Sequence, residues 1–218
     1  MGFPLPAFPP AAWRWASRLS LVTFLALSPA MARSQEVLPR MHAGLTVETW
    51  LSELRGGLTW HDPSFLNGRE SGLDINGELL FVTPVPRSWG EGLSPGWRWL
   101  ATPRPHLGFT ANTSGNTSSG YFGLTWSVPI ARDVFRRGDA IRFDFFGGGA
   151  VHDGLRYSHV ADRKSLGSSL LFRVGGEIGY QFTPRYSVSL FLDHMSNAGL
   201  ARENQGLNTL GLRFGVGF

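Results

Sequence analysis

The chain alternates apolar and polar residues with period two from Glu53 to its C-terminus. Leu54, Gly56, Leu58 and Trp60 interleave with Glu53, Arg55, Gly57 and Thr59, and Leu73, Ile75, Gly77, Leu79 and Phe81 with Asp74, Asn76 and Glu78. Successive side chains of a β-strand point to opposite faces, so each run predicts a strand with one apolar and one polar face. Shorter runs follow at 107–111, 122–126 and 141–145, and a longer one at 170–182. Val188, Leu190, Leu192, His194 and Ser196 then share one face of a seventh strand, with Ser187, Ser189, Phe191 and Asp193 on the other. Asn208, Leu210, Leu212, Phe214, Val216 and Phe218 share one face of an eighth. No long helical period appears after Ala32, so the pattern predicts an all-β fold of eight strands.

The polar faces carry Arg55, Arg142, Arg173 and Arg213 against Glu53, Asp74, Glu78, Asp144, Glu177 and Asp193. A soluble sandwich would turn these charges outward; a transmembrane barrel would turn them inward. Parity alone does not choose, but the N-terminus helps. Arg14 and Arg18 precede an apolar run at 19–27 and then Ser28-Pro29-Ala30-Met31-Ala32, the pattern of a secretory signal peptide cut after Ala32. The run is short for a membrane-spanning helix, and an uncleaved anchor is the alternative reading. The expected organisation is a signal peptide at 1–32 and a single β-barrel domain at 33–218, which is 186 of the 218 residues. The even strand count, Trp and Phe near strand ends, and a final strand ending on Phe218 favour the membrane. Such an ending resembles the assembly signal of bacterial outer-membrane proteins. The fold predicted is therefore an eight-stranded antiparallel transmembrane β-barrel of the bacterial outer membrane. Its narrow interior would be a packed polar plug and not a pore.

Composition excludes other classes. Without Arg14 and Arg18, 20 basic residues become 18 against 16 acidic ones, a formal charge of +2, too balanced for a nucleic-acid partner. With no cysteine, there is no disulfide framework and no thiolate zinc site.

An N-terminus on the inner side makes outer loops of 61–71, 112–119, 152–167 and 197–207, and a tight inner turn of Thr183-Pro184-Arg185. Residues 82–104 are too long for such a turn and rich in Pro and Trp. They are expected to lie against the inner interface through Trp89, Trp97 and Trp99, with an additional element there left open.

This placement puts His194, Ser196 and Asn208 together at the outer end of one apolar face. A hydroxyl becomes a nucleophile when an imidazole takes its proton and a third group orients the imidazole. Asn208 can orient the ring, although an amide does not stabilise imidazolium as a carboxylate does. Asn197 and Asn204, in the intervening loop, are candidate donors to an oxyanion. The bland alternative is a polar collar at the headgroups, where even charges cost roughly 0–1 kcal/mol.

His194-Met195-Ser196-Asn197-Ala198-Gly199, followed by Asn204-Gln205-Gly206-Leu207-Asn208, resembles the outer-membrane lipid A 3-O-deacylases of the PagL type. Leu54-Arg55-Gly56-Gly57, Asp74-Ile75-Asn76-Gly77-Glu78 and Pro105-His106-Leu107-Gly108 also look like strands of that family. The resemblance implies an eight-stranded barrel that hydrolyses the ester-linked acyl chain at the 3-position of lipid A without a metal or other cofactor. It implies His194 as general base, Ser196 as nucleophile, an oxyanion-stabilising Asn197 and a supporting Asn204. The family pattern has Glu where this chain has Asn208. Glu203, in the same loop, is an alternative source of the carboxylate.

The partners expected are lipopolysaccharide as substrate and outer-membrane lipids, with a homodimer left open. Two other functions compete: a non-catalytic barrel that binds or scaffolds lipopolysaccharide, and a phospholipase-like acyl hydrolase. No Gly-x-Ser-x-Gly elbow, His-Glu-x-x-His or phosphate loop is present. His42, His61, His106, His152 and His159 lack ligand spacing and are expected at the surface or in the lumen. Arg156, Arg163 and Lys164 are expected to form a solvated outer loop, with contact to lipopolysaccharide phosphates as the minor alternative.

Overall fold

The structure, a computed structural model, describes residues 50–218, with the Arg87 side chain excepted. The expected signal peptide at 1–32 lies outside the described residues. Eight strands form: β1 (Leu51–His61), β2 (Leu73–Phe81), β3 (Arg104–Asn112), β4 (Ser119–Arg132), β5 (Ala140–His152), β6 (Leu170–Gln181), β7 (Tyr186–Ser196) and β8 (Leu207–Gly217). Each pairs antiparallel with the next and β8 pairs with β1, so the sheet closes and no strand edge is left unpaired.

Burial resolves the ambiguity of parity. Leu58, Ile75, Leu107, Phe122, Phe145, Phe172, Leu190 and Leu212 all project from the outer wall and are exposed. The charges face in: Arg55, Arg173, Arg213, Asp144 and Glu177 are each at most 1 % exposed. An apolar wall around a charged interior is the arrangement of a barrel solvated by lipid. No described helix is long and apolar enough to cross a membrane; the strands do so instead.

The interior is packed. Arg55 bonds Glu53 at 2.8 Å, Asp144 at 2.5 Å and Glu177 at 3.0 Å. Arg213 bonds Glu177 and lies 3.2 Å from Glu78. Arg173 bonds Asp193 at 2.6 Å and stacks over the Tyr121 ring, its guanidinium carbon 3.6 Å from the ring centroid. Removing one member of such a buried pair would strand its partner's charge, typically at about 3–5 kcal/mol.

Two expectations need correcting. β4 and β5 are longer than the runs at 122–126 and 141–145 suggested. Pro129 lacks a backbone donor but is accommodated beside a ladder irregularity between Pro129 and Ala131. The glycines of β5 continue the strand because β4 approaches closely: a Cβ on Gly148 would sit 2.0 Å from Phe122 O. Residues 82–103 do contain an added element, a short 3-10 turn at Arg87–Gly90 followed by a helix, α1 (Pro95–Ala101), with Pro95 in its first turn. Trp99 is not a free interfacial anchor, since its Nε1–H donates to Ser127 O at 2.9 Å. Trp126 of β4 donates to Leu100 O at 2.9 Å, which clamps α1 to the wall. Trp89 and Trp97 remain exposed.

Candidate active site

The long loops 62–72, 113–118, 153–169 and 197–206 gather at one end of the barrel, where β7 ends and β8 begins. His194 stands opposite Asn208 in the β7–β8 ladder and opposite Val174 in the β6–β7 ladder; Ser196 stands opposite Phe172. Between them Met195 points inward and packs with Tyr121, Ala150, Leu166, Leu171 and Leu207. That buried contact sets the parity of the strand end, so His194 and Ser196 must face outward. Of the three residues that parity placed on one face, His194 and Asn208 meet as ladder partners, and Ser196 lies two positions further along the same face of β7.

The imidazole is oriented by an amide whose own orientation is determined. His194 Nδ1 lies 2.8 Å from Asn208 Oδ1, and Asn208 Nδ2 donates to Leu66 O at 3.0 Å. A backbone carbonyl only accepts, so the amide nitrogen must face Leu66 and the amide oxygen the ring. Nδ1 then carries the hydrogen, and Nε2 holds the basic lone pair. Leu66 closes a 3-10 turn, Ser64–Leu66, so the first outer loop reaches over to β8. The half-buried Ser196 hydroxyl has no hydrogen-bond partner among the described residues and is uncommitted.

Gly206 backs the ring. With φ of +31°, it sits so close that a Cβ there would lie 2.6 Å from His194 Cε1. Only a residue without a side chain leaves the imidazole this position.

The two loop amides differ in how far their side chains are engaged. Asn197 is buried and its side chain is fully used: Nδ2 donates to Leu166 O at 2.8 Å and Glu203 O at 2.6 Å, and Oδ1 accepts from Gly199 N and Ala201 N. No Asn197 amide hydrogen is left for an oxyanion, and the residue shapes the loop. Asn204 is exposed; its Oδ1 accepts from Asn197 N at 3.0 Å, and its two Nδ2 hydrogens have no partner among the described residues. Glu203 contributes its backbone carbonyl to this loop, and its carboxylate makes no ion pair with His194 among the described residues.

Beneath these loops lies a buried polar network that the sequence did not disclose. Lys164 is buried: Nζ donates to Asp62 Oδ1 at 2.7 Å and to Gly206 O at 2.5 Å. Asp62 is joined to Asn208 through Asp62 N→Asn208 O at 2.8 Å and Asn208 N→Asp62 Oδ1 at 3.4 Å. Glu70 accepts from Lys164 N, from Thr117 N and from His61 Nε2, and lies 3.3 Å from Arg163 Nε. Burial pushes the Glu70 carboxyl up, but the bonds from His61, Lys164 and Thr117 outweigh it and bring the pKa down to about 2. Lys164 is thus not the solvated residue expected, Arg163 is half-buried beside Glu70, and Arg156 is exposed. His61 and His106 lie inside the barrel, and His152 bonds Ser168 O at 2.7 Å. His42 lies outside the described residues. Among the described residues no group of His, Asp and Glu is suited to hold a metal ion.

Fold and site together define a transmembrane β-barrel with a Ser–His–Asn constellation on its lipid-facing wall. The sequence matches the lipid A 3-O-deacylase (PagL) family over residues 87–217, and the chain belongs to that family, an ester hydrolase family. The crystal structure of the outer membrane enzyme PagL resembles it at 22 % identity and a TM-score of 0.55, over 77 % of this chain and 99 % of that one. No curated protein sequence matches the chain.

Proposed function

We propose that this chain removes the 3-O-linked acyl chain of lipid A in the outer membrane, with Ser196 as nucleophile, His194 as general base and acid, and Asn208 as the residue that orients the imidazole. One observation carries the assignment: the 2.8 Å contact of His194 Nδ1 with an Asn208 oxygen whose rotamer is held by Leu66 O. Ser196 Oγ attacks the ester carbonyl while Nε2 takes its proton. The oxyanion forms within reach of the Asn204 loop, whose free Nδ2 hydrogens are its donors. Collapse breaks the ester bond, and Nε2 returns the proton to the sugar oxygen that leaves. Water then repeats the sequence on the acyl-enzyme, giving the free fatty acid and regenerated Ser196.

The location of the site suits this substrate. Phe172 and Val174 beside Ser196 and His194 are exposed, so the hydroxyl opens sideways into the lipid phase where acyl chains lie. Substrate arrives by lateral diffusion, and neighbouring membrane lipids are the other partners.

The test is release of fatty acid from purified lipopolysaccharide by the barrel in detergent. Ser196→Ala and His194→Ala should each lower the rate by roughly 10²–10⁴-fold while the barrel stays folded. Unchanged release by Ser196→Ala would refute the assignment.

A further inference from the structure

Two parts of the site are held from behind by one side chain. Gly206 backs the His194 ring so closely that a Cβ there would lie 2.6 Å from Cε1, so a shift of its backbone toward the ring would displace the imidazole. Asn208 fixes the tautomer of that ring, and its backbone is bonded in both directions to Asp62. Lys164 Nζ joins these supports, donating to Gly206 O and to Asp62 Oδ1. The lysine comes from the third outer loop, Asp62 from the first and Gly206 from the fourth. Its own backbone N–H is held by Glu70 at 3.0 Å, and Glu70 also takes the second loop through Thr117 N.

A buried ammonium needs a reason to be there, since its desolvation is offset only by good geometry and a full set of partners. A carboxylate and a carbonyl supply acceptors here: the carbonyl belongs to Gly206, which backs the His194 ring, and the carboxylate to Asp62, which is bonded to the Asn208 backbone. We propose that Lys164 is a positioning residue for the deacylation: its ammonium draws Gly206 and Asp62 together and so sets the imidazole at the distance and angle that Ser196 needs. This rests on the assignment of His194, Ser196 and Asn208 above. Lys164 is buried beneath the loops and does not touch substrate. It should therefore act on kcat and leave KM alone, because misplacing a catalytic group by about 1 Å can lower the rate on the order of 10²-fold.

The absence of cysteine from the chain allows a direct test. Lys164→Cys is alkylated in urea, before refolding, with either 2-bromoethylamine or 1-iodopropane. The first reagent restores an ammonium on a side chain of lysine length; the second gives a neutral side chain of the same length. Each product is refolded in detergent, checked for heat-modifiable migration, and assayed for kcat and KM on lipopolysaccharide. Expected are a fall in kcat on the order of 10²-fold for the cysteine and propyl forms, an unchanged KM, and recovery by the aminoethyl form alone. If the unpaired Asp62 charge unsettles the loops, Lys164→Cys with Asp62→Asn removes it, and the same low kcat is expected. Full activity in the cysteine form, equal rescue by the propyl form, or a loss confined to KM would overturn the inference. Those results would leave the catalytic assignment standing, whereas activity in His194→Ala or Ser196→Ala would remove the assignment itself.

Discussion

Asn208 turns its side-chain oxygen toward His194 because its nitrogen is engaged by the Leu66 carbonyl, at 3.0 Å on one side and 2.8 Å on the other. An amide can do both; a carboxylate has no hydrogen to give Leu66. The amide therefore ties the first outer loop to the site.

Asn208→Ala removes the orienting bond and should lower kcat by roughly 10²-fold or more. Asn208→Glu forfeits the neutral bond to Leu66, a net of about 0.5–1.5 kcal/mol, and gains a charge-assisted bond to the imidazolium of about 1.5–3 kcal/mol. A modest rise in kcat, with faster protease nicking of loop 62–72, is expected. Glu203→Gln should leave the rate unchanged, because the His194 ring is bonded to Asn208 and not to Glu203. If Glu203→Gln were as damaging as His194→Ala, the orienting group would be in the loop instead.

Gly206→Ala would put a methyl group 2.6 Å from His194 Cε1 at a φ of +31°. The ring or the loop must move. Steady-state kinetics should show kcat falling on the order of 10²-fold while the barrel keeps its heat-modifiable migration.

Glu70 makes the cap of outer loops acid-sensitive. Its folded pKa of about 2 lies below the ordinary 4.5, so its contribution is complete above 4.5 and is lost as pH falls toward 2. The groups facing it are His61, Arg163 and the Lys164 and Thr117 backbone. Pepsin nicking of the outer loops, compared between the native chain and Glu70→Gln, should differ most at the upper end of this window and converge at the lower end. A constant difference across the window would contradict the assignment.

Leu190 projects into lipid near the middle of β7. Leu190→Arg should destabilise the folded barrel by about 2–4 kcal/mol in urea titrations with lipid vesicles. A neutral effect would mean that this wall does not face the membrane core.

The barrel was legible because parity is a strong signal where large residues alternate, as from Val188 to Ser196. It was weakest where the strand carried residues that usually end one: Pro129 in β4 and the glycines 147–149 in β5. Both are tolerated through contacts with a neighbouring strand that no local pattern records. Residues 82–103 were readable as too long for a turn, but the indole bonds that pin α1 to β4 are tertiary. The same limit applies to the site. His194, Ser196 and Asn208 follow from parity and strand adjacency. The engagement of the Asn197 side chain, and the burial of Lys164, depend on where loop carbonyls lie. A basic run such as Arg163-Lys164 looks the same whether it is solvated or buried against Asp62.

The most direct measurement is mass spectrometry of lipid A from bacteria expressing this chain beside bacteria expressing its Ser196→Ala form. The structure predicts loss of a single ester-linked acyl chain with the native chain and intact lipid A with Ser196→Ala. Intact lipid A from both, or loss of the chain from both, would contradict it.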